Sequence, residues 1–241
     1  MSVFLKYAFL FYVGSTLGWI MELFFRRFVS SKKWINPGFL TGPYLPIYGF
    51  GLCALYFICR IDLSIFIENE VFQVIVVLVL AMIFMTLIEL IAGLIFINGM
   101  HIKLWDYSNR PLNYKGIICP LFTFIWGILG TIYYFLINPY VLDALNWFSQ
   151  NLAFSFIVGM FYGFIIIDFA SSINLSVKLR KFASEYKTII SYENLKETIR
   201  AHMKELKLPS KFIFPFKSPL SLKENVTHYF ESIKAKIEKR K

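Results

Sequence analysis

Residues 71–98 read VFQVIVVLVLAMIFMTLIELIAGLIFIN, a run whose one charged side chain is Glu89. A helix rises about 1.5 Å per residue, so this run is long enough to cross a hydrocarbon core of about 30 Å and still tilt or overhang. Apolar runs recur on both sides of it, at 44–61 and 117–138, and again at 4–25 and 152–175. The composition follows from these runs. Only 17% of residues are charged and 57% are hydrophobic, where a soluble domain carries about 25% charged residues. The reading is an all-α integral membrane protein with about five transmembrane helices. The 4–25 run is longer than a signal-peptide core and is followed, not preceded, by Arg26 and Arg27, so it reads as a retained first span. The 44–61 run is the shortest and contains Pro46, Gly49 and Gly51. A loosened backbone there needs neighbouring protein to satisfy it.

Basic residues set the orientation. Arg26, Arg27, Lys32 and Lys33 lie in the 26–43 loop, and Lys103, Arg110 and Lys115 in the 99–116 loop. With the tail, 23 basic residues fall on one side and two, Lys6 and Arg60, on the other; the 139–151 loop has none. The positive-inside rule places the N-terminus outside and the C-terminus in the cytoplasm, in a multi-pass plasma-membrane protein.

Residues 1–175 form the predicted five-span domain and 176–241 a basic cytoplasmic helical tail. From Ser176 onward there are 16 Lys and Arg against 7 Glu, so nearly all of the net +10 charge sits there. Leu195, Ile199, Met203 and Leu206 repeat at helical spacing. Pro209 ends that helix, and Lys211–Pro219, with Pro215, reads as extended. Ser221 and Glu224 make a capping box, followed by Val226, Phe230, Ile233 and Ile237 on one face. Such amphipathic helices lie on anionic inner-leaflet lipid or pack on a protein partner. The basic character points to lipid, not nucleic acid.

Three carboxylates, Glu22, Glu89 and Asp168, fall inside apolar runs. An acid at a helix centre costs about 2.5–3.5 kcal/mol on insertion scales, so these side chains are expected in the bundle interior. All three lie in the cytoplasmic halves of their spans and make a candidate polar pocket with Arg26. The plainer alternatives are an i, i+4 pair of Glu22 with Arg26, and for Asp168 a pair with Lys178 or contacts with Ser171 and Ser172. Glu89 has no basic residue nearby in sequence. The inner loops offer a second candidate site: Pro43, Tyr48 and Gly49 in one, and Trp105, Asp106, Tyr107 and Ser108 in the other. Here the alternatives are an aromatic belt at headgroup depth and a local Asp106–Ser108 turn. Gly14 with Gly18 and Gly159 with Gly163 form GxxxG pairs suited to close helix approach and to homo-oligomers.

A weak internal echo runs through the chain. An acid-bearing span, an inner loop and a span with Tyr48-Gly49 are followed by an acid-bearing span, an inner loop and a span with Trp126-Gly127. No GxxxxGK[ST], GxSxG or HExxH motif is present. His101, His202 and His228 are scattered, and Cys53, Cys59 and Cys119 have no metal-ligand spacing. No metal, cofactor or catalytic residue is expected.

Gly18-Trp19 with Glu22, the Gly38-Phe39-Leu40 to Gly51 segment, Glu89 with Gly93, Trp105-Asp106-Tyr107-Ser108, and Gly116-Ile117-Ile118-Cys119 with Trp126-Gly127 resemble the CmpB-like family of ABC-transporter type IV permeases. The likeness covers about residues 5–175. It implies a membrane transport component, of unknown substrate, that works with a separate ATPase subunit. Against it, the inner loops lack an EAA-type coupling segment, and five spans depart from the usual six. The other readings from the sequence are a small membrane enzyme or lipid-headgroup-binding protein at the inner leaflet, and an assembly or regulatory factor.

Overall fold

The computed structural model describes residues 1–29, 32–185, 189–208 and 221–238. Among these, the helices are α1 (Val3–Phe28), α2 (Pro46–Ile58), α3 (Glu70–Met100), α4 (Pro120–Ile132), α5 (Asn138–Gln150), α6 (Ser155–Glu185), α7 (Tyr192–Glu205) and α8 (Leu222–Glu238). Four stretches among the described residues are long and apolar enough to cross a membrane: Val3–Phe28, Glu70–Met100, Pro120–Gln150 and Leu152–Lys181. The protein is therefore an all-α membrane protein, with one further apolar helix, α2, of 13 residues.

The fourth run differs from expectation. Residues 139–151 read as a loop, yet the helix continues from Pro120 to Gln150 through a π-helical turn at Tyr133–Ile137. Pro139 lacks an N–H and crowds the carbonyl four residues back, and a wide π turn just before it relieves both. Helix α5 then buries Leu145 and Phe148 against Ala8, Phe9 and Tyr56. The Phe148 ring stacks on Phe9 at 4.3 Å.

Helix α2 is about 20 Å long, two-thirds of a hydrocarbon core. The rest of its path is irregular chain. The Leu45 N–H donates to the Ser15 carbonyl at 2.9 Å, and Ser15 lies midway along α1. The segment 36–45 thus returns from the end of α1 to the middle of the bundle before α2 starts at Pro46. Gly14 and Gly18 let α2 lie against α1: a Cβ on Gly18 would stand 2.2 Å from the Cβ of Tyr48. The second half of the echo is built alike. Residues 102–119 fold back along α3 until Ile117 packs on Gly93, and α4 begins at Pro120. Both short entries start with Pro in the first helical turn, where its missing N–H costs nothing.

Helix α6 runs through residue 175 without a break, to Glu185. A two-residue parallel bridge pairs β1 (Ile102–Lys103) with β2 (Ile190–Ser191). Leu195, Ile199 and Met203 of α7 are buried with Phe39, Leu40, Tyr44 and Ile102, and with Val226, Tyr229 and Phe230 of α8. The apolar face of α7 is thus covered by the protein itself. The capping box is present: Ser221 N–H donates to Glu224 at 2.7 Å and Glu224 N–H to Ser221 Oγ at 3.2 Å. The Pro209 stop, the extended reading of 211–219 and the Ile233 and Ile237 side chains lie outside the described residues.

Candidate functional site

Glu89 is 4% exposed and faces the bundle. Its two carboxylate oxygens accept from Tyr107 Oη at 2.9 Å and from Trp126 Nε1 at 3.0 Å. Tyr107 arrives on the returning segment and is held flat on Phe122, ring to ring at 4.1 Å. Trp126 comes from the second turn of α4. Thr86, one turn before Glu89, meets Thr123 at 3.2 Å. Each oxygen therefore has a neutral donor, and no ion pair is described for this carboxylate.

Glu22 takes the other arrangement. It pairs with Arg26 at 2.9 Å, as the i, i+4 spacing indicated, and its second oxygen accepts from Tyr48 Oη at 2.8 Å. Arg26 also reaches Glu193 of α7 at 2.7 Å. The two acids are joined through their donors, because the Tyr48 and Trp126 rings meet at 6.3 Å.

Asp168 serves different partners. Its carboxylate accepts from Thr41 N–H at 2.9 Å, Thr41 Oγ1 at 2.5 Å, Gly42 N–H at 2.8 Å, Tyr44 Oη at 2.7 Å and Ser172 Oγ at 3.3 Å. This is how irregular backbone at membrane depth is satisfied, since no water is at hand in the hydrocarbon. Of the contacts weighed for Asp168, Ser172 is made. Ser171 instead donates to the Ile167 carbonyl.

The inner-loop residues divide in the same way. Tyr48 and Tyr107 touch the acids. Gly49 packs against Ser15 and Phe11. Trp105 Nε1 donates to the Ile117 carbonyl at 2.8 Å and so closes the returning segment. Asp106 makes the local turn with Ser108, 2.5 Å to its Oγ, and holds Lys103 at 3.0 Å. Pro43 lies between Gly42 and Tyr44, beside the Asp168 contacts.

Several contributing residues lie outside the candidate sites named from the sequence. Trp19 Nε1 donates to Asn36 Oδ1 at 2.7 Å, and Asn36 Nδ2 to the Thr41 carbonyl at 2.8 Å. Lys196 of α7 is 5% exposed and donates to the carbonyls of Gly38 at 2.6 Å and Asn36 at 3.0 Å, with the Tyr192 ring 4.5 Å away. Burial, reinforced by Arg26, pushes this ammonium down to about 7. Tyr192 Oη donates to the Phe39 carbonyl, and Arg200 to that of Trp34. A lysine spaced among glutamates carries no mark of burial, and its partners lie about 160 residues earlier.

Searches of curated proteins and of solved structures find no match. The family model described as "Putative ABC-transporter type IV" matches residues 9–173, which contain most of α1, all of α2 to α5, most of α6, and Glu22, Glu89, Asp106 and Asp168. The chain belongs to this ABC-transporter type IV (CmpB) family.

Proposed function

We propose that the chain is the membrane-embedded permease component of a plasma-membrane transporter, with about five passes, the N-terminus outside and the C-terminus in the cytoplasm. The observation that carries this reading is the linked pair Glu22–Tyr48 and Trp126–Glu89. Two carboxylates face the bundle interior at the feet of two returning segments, joined by polarisable donors. Such groups are costly in a purely structural bundle and usual along a polar route. Glu22, Glu89 and Arg26 line that route; Asp168 fixes its wall at 41–44.

The chain has no nucleotide-binding motif of its own. A separate ATPase subunit would dock on the cytoplasmic side, against the outward face of α7 and the outer ends of the two returning segments. Lys178, Arg180 and Lys181, exposed at the end of α6, face anionic inner-leaflet headgroups. Gly159 and Gly163 have open space beside them and offer a face to a second copy.

Purification from native membranes tests the reading, scored for an ATPase subunit and for bound lipid. Co-purification of an ATPase whose turnover is uncoupled by Glu89→Gln, with expression intact, supports it. One stoichiometric lipid and no ATPase favours the headgroup-binding reading instead. Neither ligand, with an unrelated membrane complex recovered, favours the assembly factor.

A further inference from the structure

The three histidines are far apart in sequence, yet two of them meet. His202 lies near the end of α7 and His228 in the second turn of α8. Their rings stack with centroids 4.0 Å apart and planes inclined by 24°. The Nδ1 atoms of both are shielded from solvent and have no hydrogen-bond partner. Glu205, the last residue of α7, brings a carboxylate oxygen to 3.9 Å from His202 Nδ1. One ligand atom from each of these three residues lies within 4.8 Å of the others.

We propose that His202, His228 and Glu205 bind a divalent transition-metal ion, Zn²⁺ by preference, which ties α8 to α7. Two buried imidazole nitrogens without partners forfeit the hydrogen bonds that water would give them. A metal ion satisfies both at once, and the carboxylate offsets part of its charge. Imidazole with one carboxylate suits Zn²⁺ and its first-row neighbours, whereas Ca²⁺ and Mg²⁺ prefer all-oxygen shells. Tetrahedral Zn²⁺ with bonds of about 2.0–2.1 Å separates its ligand atoms by roughly 3.3 Å. The donors must therefore close in slightly. The exposed Glu205 side chain is free to swing, and turning the imidazoles out of their stack aims both lone pairs at one point. Water fills the fourth position. The surroundings hold the helices in register for this, with Ile199 and Met203 on one side and Val226, Tyr229 and Phe230 on the other, all buried. The site lies outside the family-matched residues, so it would belong to this chain's tail and not to the transport machinery.

The test uses the full-length chain in detergent, stripped with chelator and titrated with Zn²⁺, and in parallel with Co²⁺ for its absorption spectrum. One equivalent should bind, with the intense visible bands of tetrahedral Co²⁺, and Zn²⁺ should slow hydrogen exchange in α8. Glu205→Gln, at an exposed position that leaves the fold intact, should weaken binding at least about tenfold, the scale on which even outer-shell partners matter. His202→Gln with His228→Gln should abolish binding, and His101→Gln should leave it unchanged. Absence of the single equivalent in the wild-type chain overturns the proposal. So does binding that survives both Glu205→Gln and the histidine pair.

Discussion

The rings of Tyr48 and Trp126 meet edge to face at 6.3 Å, and each gives its one polar hydrogen to a different carboxylate, Glu22 for the first and Glu89 for the second. The two halves of the echo are therefore coupled side chain to side chain. A movement that shifts α2 on α1 alters the donor of Glu22 and pushes on the donor of Glu89.

Glu89 separates charge from shape. Glu89→Gln keeps a carbonyl oxygen to accept one of the two donors, so it should cost about 1–2 kcal/mol. Glu89→Leu strands both Tyr107 Oη and Trp126 Nε1 and should cost about 2–6 kcal/mol, at about 1–3 kcal/mol per buried unsatisfied group. Thermal unfolding of the two variants in one detergent reads the difference. Equal stability would show that water or another group already serves these donors.

Asp168→Asn replaces one acceptor oxygen by a donor that faces Gly42 N–H and Tyr44 Oη. Residues 38–45 should then open, with hydrogen exchange there rising at least about tenfold while α3 is unaffected, in keeping with the loss of about 2 kcal/mol of charge-assisted bonding. Unchanged protection of 38–45 would mean that the segment holds itself.

Lys196 predicts how docking of α7 depends on pH. Docked, it titrates near 7; released, as an ordinary lysine at 10.5. Between those values the released tail holds the extra proton, so docking strengthens as pH rises from about 7 to about 10.5, by up to about 1.4 kcal/mol per unit. A neutral amine still has two N–H groups for the Asn36 and Gly38 carbonyls. The urea midpoint for tail release, followed with a fluorophore at position 204, should rise with pH in the wild-type chain. In Lys196→Met the rise should be smaller. Arg26, Glu193 and Tyr192, the charged and titratable neighbours, are common to both, and parallel slopes would refute the assignment.

Orientation is checked by labelling. With Cys53, Cys59 and Cys119 replaced and a cysteine placed at 238, an impermeant thiol reagent should label only after the membrane is opened. Labelling of intact cells would invert the topology.

What could be read from the sequence was what repeats or what lies close by. Apolar length marked the long helices, and the i, i+4 spacing marked Glu22 with Arg26. The isolation of Glu89 from cations was visible because burial of an acid is costly wherever it occurs. Its donors were not, since Tyr107 and Trp126 lie 18 and 37 residues away, the first on a segment whose return no periodicity announces and the second on the helix that this return brings alongside α3. Helix α5 was missed because Asn138-Pro139 and Asp143 imitate a loop, and only packing on Phe9 shows why the helix continues. The meeting of His202 with His228 depends on how α8 folds onto α7, which nothing local encodes.

The clamp on Thr41 also bears on how the molecule is made. Asp168 lies 127 residues after the N–H group it satisfies. At about 5–20 residues per second, roughly 6–25 s of synthesis separate the two. Until α6 is made, the amides of Thr41 and Gly42 lack the carboxylate that pairs them. Unpaired backbone is costly in lipid, so the first hairpin is expected to settle only once α6 has arrived. A chain truncated before Asp168 is therefore expected to be degraded faster than the full-length protein, and not to persist as a smaller version of the same bundle.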